Sequence, residues 1–343
     1  MKPFNKTLAL TLVSWGMMVQ TASALITIDT VPVGNAGNAN DTTGFGAVGY
    51  DYGIGKYEVT LNQYSTFLNA VGATDTYSLY HASMAANLNI AGIAQSGVSG
   101  SYTYSVVGSG ARPVTFVSWF DAARFANWLH NGQPTGAQAA GTTETGAYTL
   151  NGASSGVFTR NANATYGLPS ENEWYKAAYH QPGGQGGDSD DYWLYPTASN
   201  AIPNSRNGSA SDANSANFYR DDGIANGFNG GYAVNNSTTF PTGNALTDAG
   251  AFSLADSFYG TFDQGGNVWE WNDAVIGSRF VLRGGSLASG ELNLEASYRF
   301  SAIAASGQFS GVGFRVAIVP EPSVVGLMAL GLAMLAWKRK RTR

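Results

Sequence analysis

Long stretches of small polar residues separate the few helical patterns of this chain. Three segments, about 72–111, 131–165 and 181–250, are dominated by glycine, asparagine, serine, threonine and alanine. Connections in compact domains usually run to about 4–6 residues, so these segments must contain short strands and structured loops of their own. Ser101–Val107 and Tyr148–Phe158 are the candidate strands. This distribution argues against a parallel-sheet fold and favours an α+β domain.

Three short helices are predicted from one shared start signal. In each, an N-cap hydroxyl is followed three residues later by a side chain that can accept a hydrogen bond, which is the pattern of a capping box. The pairs are Thr60 and Gln63, Ser118 and Asp121, and Ser170 and Glu173. Apolar residues at helical spacing follow each start: Tyr64, Phe67, Leu68 and Val71, then Phe125, Trp128 and Leu129, then Trp174, Ala177 and Ala178. Each helix is therefore expected to bury one face.

The last third of the chain has strand patterns: Val268–Trp271, Phe280–Arg283 and Gly313–Val319. No repeat of fixed period is visible. The segment 25–318 is therefore predicted to form one domain, since it is about the length of a large single domain.

Both ends of the chain resemble targeting signals. Residues 1–24 match a secretory signal peptide, with Lys2 and Lys6, an apolar run and a small-residue site Ala22–Ala24. Residues 319–343 contain Pro320, Glu321 and Pro322, then the short apolar stretch 324–337 and a basic tail. This order resembles the PEP-CTERM sorting signal. We expect signal peptidase to remove the first signal. The PEP-CTERM resemblance implies transient anchoring in the inner membrane by the C-terminal helix and processing by an exosortase. A simple tail anchor is the alternative, and both place the body outside the cytoplasm.

The charge and the cysteine count exclude several functions. Between positions 25 and 319 there are 11 basic and 22 acidic side chains, so the body carries a net charge of −11. Such a surface argues against binding nucleic acid through phosphates and suits solubility or cation binding. The sequence contains no cysteine. Disulfides, thiolate metal sites and thiol nucleophiles are therefore excluded.

Six motifs follow one another in a recognisable order. They are Gly55–Thr60, Arg112–Ala122, Leu168–Trp174, Gly266–Trp271, Leu282–Ser286 and Gly313–Val316. Together they resemble the sulfatase-modifying-factor family, the formylglycine-generating-enzyme-like domain. The resemblance covers roughly residues 45–318 and implies a variant of the C-type lectin fold, with short helices, short antiparallel strands and long functional loops.

The tryptophans and arginines of these motifs can be interpreted on physical grounds. The two-residue period of a strand puts Trp269 and Trp271 on one face, where we expect core packing rather than a ligand platform, with Glu270 opposite. Arg283 and Arg315 have apolar neighbours, so their guanidinium groups are expected to be buried in structural ion pairs. Substrate binding is the alternative role. The candidate partners are Glu58, Glu173 and Glu270, and the sequence leaves the pairing open.

Calcium is the ligand that the resemblance implies. Asn267, Val268 and Glu270 would supply oxygen atoms at one site. Asn217 and Phe218, with Asp248, would supply the other. These oxygens and the acidic body are compatible with a structural Ca²⁺, and hydrogen-bonded turns without metal are the alternative.

The catalytic residues of the family are absent. Formylglycine-generating enzymes use two cysteines shortly after the Arg-Gly-Gly-Ser block, and none follows Ser286 here. Serine cannot replace thiolate as a soft copper ligand. His81, His130 and His180 are the only histidines, and none is at ligand spacing with another. Because two histidines and one carboxylate would be enough for an iron site, a non-haem iron oxidoreductase of the same family is the alternative function.

The favoured function is a surface-displayed, non-catalytic binding module. Its loops resemble adaptable recognition surfaces, with candidate contact residues Tyr192, Trp193, Tyr195, Phe218 and Tyr219. A glycan or protein of the envelope is the expected partner, because exosortase substrates often accompany exopolysaccharide production.

Overall fold

Residues 25–208, 212–301 and 303–318 are described by a computed structural model of the chain. The helices are α1 (Leu61–Val71), α2 (Ser83–Ala86), α3 (Trp119–His130) and α4 (Glu171–Tyr179), with a 3₁₀ helix at Glu291–Leu294. The strands are β1 (Thr30–Val33), β2 (Tyr52–Gly55), β3 (Ile93–Ser96), β4 (Thr103–Val106), β5 (Tyr166–Gly167), β6 (Asn204–Ser205), β7 (Ser215–Ala216), β8 (Tyr219–Asp221), β9 (Gly230–Tyr232), β10 (Trp269–Ile276), β11 (Arg279–Arg283), β12 (Val312–Gly313) and β13 (Ala317–Ile318).

The three predicted helix starts are confirmed. Thr60, Ser118 and Ser170 each form a complete capping box, because the hydroxyl accepts the third backbone N–H and that residue's side chain accepts the N-cap N–H. Helix α2 was not predicted. Its single turn has no side-chain cap, so the sequence carries no start signal there.

The helices pack their predicted faces into an aromatic core. Phe67 of α1 meets Phe125 of α3 edge to face at 5.3 Å between ring centroids, and Phe125 contacts Phe314. Trp119 stacks on Phe280 at 3.9 Å. Helix α3 thus packs against both α1 and strand β11.

Two sheets position the rest of the chain. The order β1-β2-β13-β5 joins the start and the end of the domain, with β13 antiparallel to both neighbours. The second sheet has the order β11-β10-β12, where β10 and β11 are antiparallel and β12 runs parallel to β10. Three two-stranded pairs complete the described sheets: β3–β4, β6–β7 and β8–β9. The predicted α+β architecture is confirmed, although β6–β7 and β10–β12 are parallel rather than antiparallel.

Most strand predictions hold, and one is wrong. Strands β4, β10 and β11 lie where the sequence predicted them, while Gly313–Val319 is represented by β12 and β13. The stretch Tyr148–Phe158 forms turns instead of a strand. The carboxamide of Asn127 accepts the Tyr148 N–H at 2.6 Å and donates to its carbonyl at 3.1 Å. Because a side chain satisfies this backbone, no strand partner is needed.

Candidate functional site

The Arg-Gly-Gly-Ser block forms a tight turn at the end of β11. Gly284 and Gly285 have φ of 94° and 79°. A Cβ at Gly284 would lie 2.5 Å from the Gln264 carbonyl oxygen, and one at Gly285 would lie 2.7 Å from Leu294. Both positions therefore require glycine. The turn places Ser286 beside the first residues of β10 and β12.

An aromatic pocket of about 320 Å³ lies at this turn. Trp269 and Phe300 stack in it at 5.4 Å between ring centroids, and Phe240 and Phe309 are 38% and 44% exposed. We call it the aromatic pocket; it is lined by Asn87, Asn89, Ile90, Phe240, Trp269, Ser286, Leu287, Ala288, Phe300, Ile303, Phe309, Ser310, Gly311 and Val312. No charged side chain is among these lining residues. The pocket is therefore suited to an uncharged group with an apolar face.

Polar groups of the aromatic pocket are available to a ligand. The side chain of Asn89 makes no hydrogen bond within the described part of the chain, although its backbone N–H donates to the Asn87 side chain at 3.2 Å. Its carboxamide can therefore both donate and accept a hydrogen bond.

The two tryptophans of β10 have different environments. Trp271 is fully buried, and its indole N–H donates to the Val117 carbonyl at 3.0 Å. Trp269 is only partly buried and lines the aromatic pocket. Trp269 therefore packs against the main core cluster, as expected, but it also forms part of the wall of the aromatic pocket.

The segment that follows Ser286 forms a hydroxyl network where the family has cysteines. Ser289 is buried, its Oγ accepts the Ser286 N–H at 2.9 Å, and the two hydroxyl oxygens are 3.2 Å apart. These atoms hold the turn closed beside the aromatic pocket. Unperturbed serine hydroxyls supply neither a soft metal ligand nor a thiolate nucleophile.

The predicted ligand-contact residues do not form one surface. Tyr192 and Tyr195 are 2% and 1% exposed, with hydroxyls bound to Ala39 and Glu295, so neither is a surface anchor. The composition of the 181–200 loop does not reveal that both rings turn toward the core. Trp193 is half-buried and lines, together with Tyr192 and Asp188, a cavity that is separate from the aromatic pocket.

Tyr219 leads from the hairpin β8–β9 toward the aromatic pocket. Its ring contacts Tyr232 at 4.9 Å, and Tyr232 contacts Phe240 at the same distance. Phe240 lines the aromatic pocket, so the three rings form a continuous row. Phe218, the neighbour of Tyr219, is fully buried instead.

Both predicted arginines are buried in ion pairs. Arg315 and Glu270 form a bidentate pair with nitrogen–oxygen distances of 2.6 and 2.7 Å, and both side chains are fully buried. Arg283 pairs at 2.7 Å with Glu171, a residue outside the predicted candidate partners. Glu173 is not the partner of Arg283 because its carboxylate is already engaged. It accepts the Ser170 N–H in the capping box and pairs with Arg160.

Glu58 was expected to pair with an arginine, but its carboxylate forms no such ion pair in the described residues. It is 1% exposed, its Oε1 accepts from Asn267 at 3.3 Å, and its Oε2 has no partner. Burial, together with the negative charges of Asp263 and Glu270, raises the pKa of Glu58 well above its usual range, while Arg315 opposes the shift. Burial also raises the pKa of Asp263, to about 6.

The predicted calcium ligands are close together but largely occupied. The Asn267 Oδ1 accepts from the Asn217 side chain at 3.1 Å and from the Thr247 N–H at 3.2 Å. Both Glu270 oxygens bind Arg315, and the Phe218 carbonyl accepts the Ser205 hydroxyl at 2.6 Å. In the described ranges, no group of three or more His, Asp or Glu side chains has the arrangement of a metal site. A Ca²⁺ ion at these residues would have to displace these hydrogen bonds.

Asp248, another predicted calcium ligand, follows Thr247, whose N–H and hydroxyl bind Asn267. Its carboxylate is half exposed and 4.0 Å from the guanidinium of Arg112. A neighbouring cation disfavours a metal ion at this carboxylate.

The three histidines lie in separate environments. His81 stacks on Phe116 at 5.3 Å, and the Nδ1 of His130 lies 2.9 Å from the Thr165 hydroxyl. His180 is buried with its Nδ1 2.7 Å from the Tyr259 hydroxyl. Burial and the charge of Lys176 lower the pKa of His180 to about 4. The geometry therefore offers no two-histidine iron site among these residues.

Short capped helices, small sheets and long ordered loops define a loop-rich α+β domain of the formylglycine-generating-enzyme type. The chain belongs to the sulfatase-modifying factor enzyme 1-like domain family, whose model matches residues 30–319. The PEP-CTERM protein-sorting motif matches residues 319–341. No curated protein gives a match.

Several solved structures are similar to this chain. CarF is 20% identical, covering 86% of this chain and 100% of its own, with a TM-score of 0.49. Variable protein 1 of Treponema denticola is 20% identical, covering 88% and 98%, with a TM-score of 0.45. PvdO from Pseudomonas aeruginosa is 15% identical, covering 85% and 92%, with a TM-score of 0.40.

The sorting motif implies export, sorting to the cell envelope and processing by an exosortase. The predicted signal peptide and the apolar stretch 324–337 lie outside the described residues. Within those residues, none of the helices has the length and apolar character needed to span a bilayer.

Proposed function

We propose that the exported domain is a non-catalytic binding module that takes its ligand in the aromatic pocket. The observation that carries the proposal is the set of partly exposed rings that line the aromatic pocket beside the Arg-Gly-Gly-Ser turn. The segment after this turn contains serine where the family's oxidases carry cysteines. Partly exposed aromatic rings around a cavity are typical of binding surfaces, because they supply large apolar area at little entropic cost.

The charge distribution supports an uncharged ligand. The aromatic pocket is lined by rings, aliphatic side chains and neutral polar groups. The surrounding body carries a net charge of −11, which repels polyanions. A neutral glycan that stacks on Trp269 and bonds to Asn89 fits this chemistry, and so does an apolar segment of an envelope protein.

Binding to arrays of neutral glycans and of envelope proteins tests the proposal. Trp269→Ala is expected to weaken binding by about 1–3 kcal/mol, or roughly 5- to 150-fold in Kd, because a buried aromatic anchor is lost. Phe258→Ala removes a ring that is 48% exposed, more than Trp269, and that does not line the aromatic pocket, so it serves as the control.

The glycan array and the protein array distinguish the two candidate ligand classes. Retention on neutral glycans that Trp269→Ala abolishes supports a lectin-like role, and retention on a protein with the same sensitivity supports a protein partner. Binding that Trp269→Ala leaves unchanged would refute a role for the aromatic pocket. Turnover of a peptide thiol by the purified protein would refute the non-catalytic assignment.

We also propose the processing order implied by the terminal signals. Signal peptidase would remove residues 1–24, the apolar C-terminal stretch would hold the chain in the inner membrane, and an exosortase would act near Pro320, Glu321 and Pro322. Mass spectrometry of the mature protein tests both ends. A mature form that still contains residue 343 would contradict the C-terminal step.

Calcium binding is a separate proposal. It is supported by the buried carboxyls of Glu58, Asp263 and Glu270, which interact with one guanidinium, that of Arg315. A metal would have to displace donors that now bind Asn267 and its neighbours. A melting temperature that rises in CaCl₂ relative to EGTA, and that Asn267→Ala makes insensitive, would support it. Equal melting temperatures would reject it.

A further inference from the structure

In the described residues two guanidinium nitrogens are buried without a hydrogen-bond partner, Arg112 Nε and Arg283 Nη2. Arg283 Nη2 lies 2.7 Å from a Glu171 carboxylate oxygen, whereas Arg112 Nε has no carboxylate that close. Guanidinium groups elsewhere donate hydrogen bonds to carboxylates or carbonyls, as in Arg124, Arg160, Arg206, Arg220, Arg283, Arg299 and Arg315. The Nε of Arg112 is buried without a partner, and its only nearby carboxylate, Asp248, is 4.0 Å away. A buried donor without a partner is costly, so this guanidinium has unused capacity for a ligand.

Arg112 faces a polar pocket of about 380 Å³. We call it the polar pocket; it is lined by Arg112, Asn207, Val234, Asn244, Leu246, Thr247, Asp248 and Ala251. It is distinct from the aromatic pocket and shares no lining residue with it. The segment 240–248 contributes to both.

The walls of the polar pocket are held in place before any ligand arrives. The Arg112 carbonyl accepts the Leu61 N–H at 2.9 Å at the start of α1. Asn244 donates to the Ala91 carbonyl at 2.9 Å, and Thr247 is bound to Asn267 through its N–H and its hydroxyl. Such a pre-formed site loses little entropy on binding.

The donor and acceptor set defines the ligand chemistry. The planar guanidinium fork matches the two oxygens of a carboxylate. The Asp248 carboxylate is half exposed and accepts hydrogen bonds only, so it suits hydroxyl groups next to that carboxylate. Asn207 is exposed and supplies a neutral amide at the rim.

We propose that the polar pocket binds a carboxylate that carries hydroxyl groups on neighbouring carbons, either as an acidic sugar or as a small free hydroxy acid. The carboxylate binds Arg112, and the hydroxyls bind Asp248. This proposal does not depend on the aromatic pocket, so Trp269→Ala leaves this binding unchanged.

Isothermal titration of the full chain with defined probes tests the proposal. Galacturonate is expected to bind more tightly than galactose, which lacks the carboxylate, and more tightly than cyclohexanecarboxylate, which lacks the hydroxyls. Arg112→Gln removes the preference over galactose and raises the Kd for galacturonate about 10- to 100-fold, as expected for a charge-assisted bond. Asp248→Ala should reduce the ratio of the Kd for cyclohexanecarboxylate to the Kd for galacturonate. Because both probes carry a carboxylate, any effect of the substitution on carboxylate binding in general cancels in this ratio.

Controls separate binding from folding and one source from the other. Arg206→Gln alters another partly exposed arginine and should leave the Kd unchanged. Arg112→Lys keeps the charge without the fork and should give an intermediate Kd. Tartrate binding as tight as galacturonate indicates a free hydroxy acid, and weaker tartrate binding indicates an acidic sugar. Equal binding of galacturonate and galactose, no measurable binding of any probe, or an unaffected Arg112→Gln variant would overturn the proposal.

Discussion

Arg315→Met is expected to be among the most destabilising single substitutions in this domain. Arg315 and Glu270 are fully buried and joined by two hydrogen bonds, and Trp174 donates a third bond to Glu270 at 2.8 Å. Methionine fills much of the arginine volume but leaves the Glu270 charge without its partner. Breaking a buried ion pair in this way costs about 3–5 kcal/mol, a large part of the total stability of about 5–15 kcal/mol.

Urea unfolding monitored by tryptophan fluorescence measures this loss. With an m-value of about 3 kcal/mol/M, the midpoint should fall by about 1–1.7 M. Arg315 also donates to the carbonyls of Gly55 and Phe262, so removing it disconnects β2 and the loop before β10 as well. The lost free energy of unfolding therefore includes these two carbonyl contacts as well as the unpaired Glu270 carboxylate.

A double mutant and an exposed pair serve as controls. Adding Glu270→Gln to Arg315→Met removes the unpaired charge and should recover part of the stability. Arg206→Ala breaks the partly exposed pair with Asp212, at 3.3 Å, and should cost under about 1 kcal/mol. If Arg315→Met costs no more than Arg206→Ala, or if the double mutant is as unstable as the sum of the two single mutants, the reasoning is refuted.

Three further predictions concern pH, capping and sorting. Burial raises the pKa of Asp273 to about 8 against the charge of Arg160, so the folded state binds a proton that the unfolded state has lost. Stability from this group should fall as pH rises from about 4 to 8, and Asp273→Asn should flatten the melting-temperature profile there; an unchanged slope would contradict it. Ser170→Ala should cost about 1 kcal/mol in urea unfolding, while Ser189→Ala, in an exposed loop, should cost almost nothing. Glu321→Ala should leave an unprocessed C-terminus by mass spectrometry, and normal processing would argue against an exosortase.

Local chemistry made the helices predictable. A capping box involves residues three positions apart, so Ser118 and Asp121 reveal the start of α3 without any knowledge of its surroundings. Glycines of the Arg-Gly-Gly-Ser turn are predictable for the same reason, since the need for a positive φ lies within a few residues. The family motifs are similarly local and ordered along the chain.

Pairings across the chain were less predictable. Arg283 could have bound any of several glutamates, and only the packing of α4 brings Glu171 to it. The burial of Tyr195 and the exposure of Trp269 depend on which loops and strands cover them. A period of two assigns a face to a side chain but does not show how far the neighbouring strand extends.

The sequence by itself determined the α+β class, the three capped helices, the acidic body, the sorting motif and the absence of cysteine chemistry. Only the tertiary structure decided which carboxylates neutralise the buried arginines, which rings reach the surface, and that the Nε of Arg112 is buried without a hydrogen-bond partner beside a pocket. Helix starts and turns depend on atoms a few residues apart, whereas binding sites depend on groups that only folding brings together.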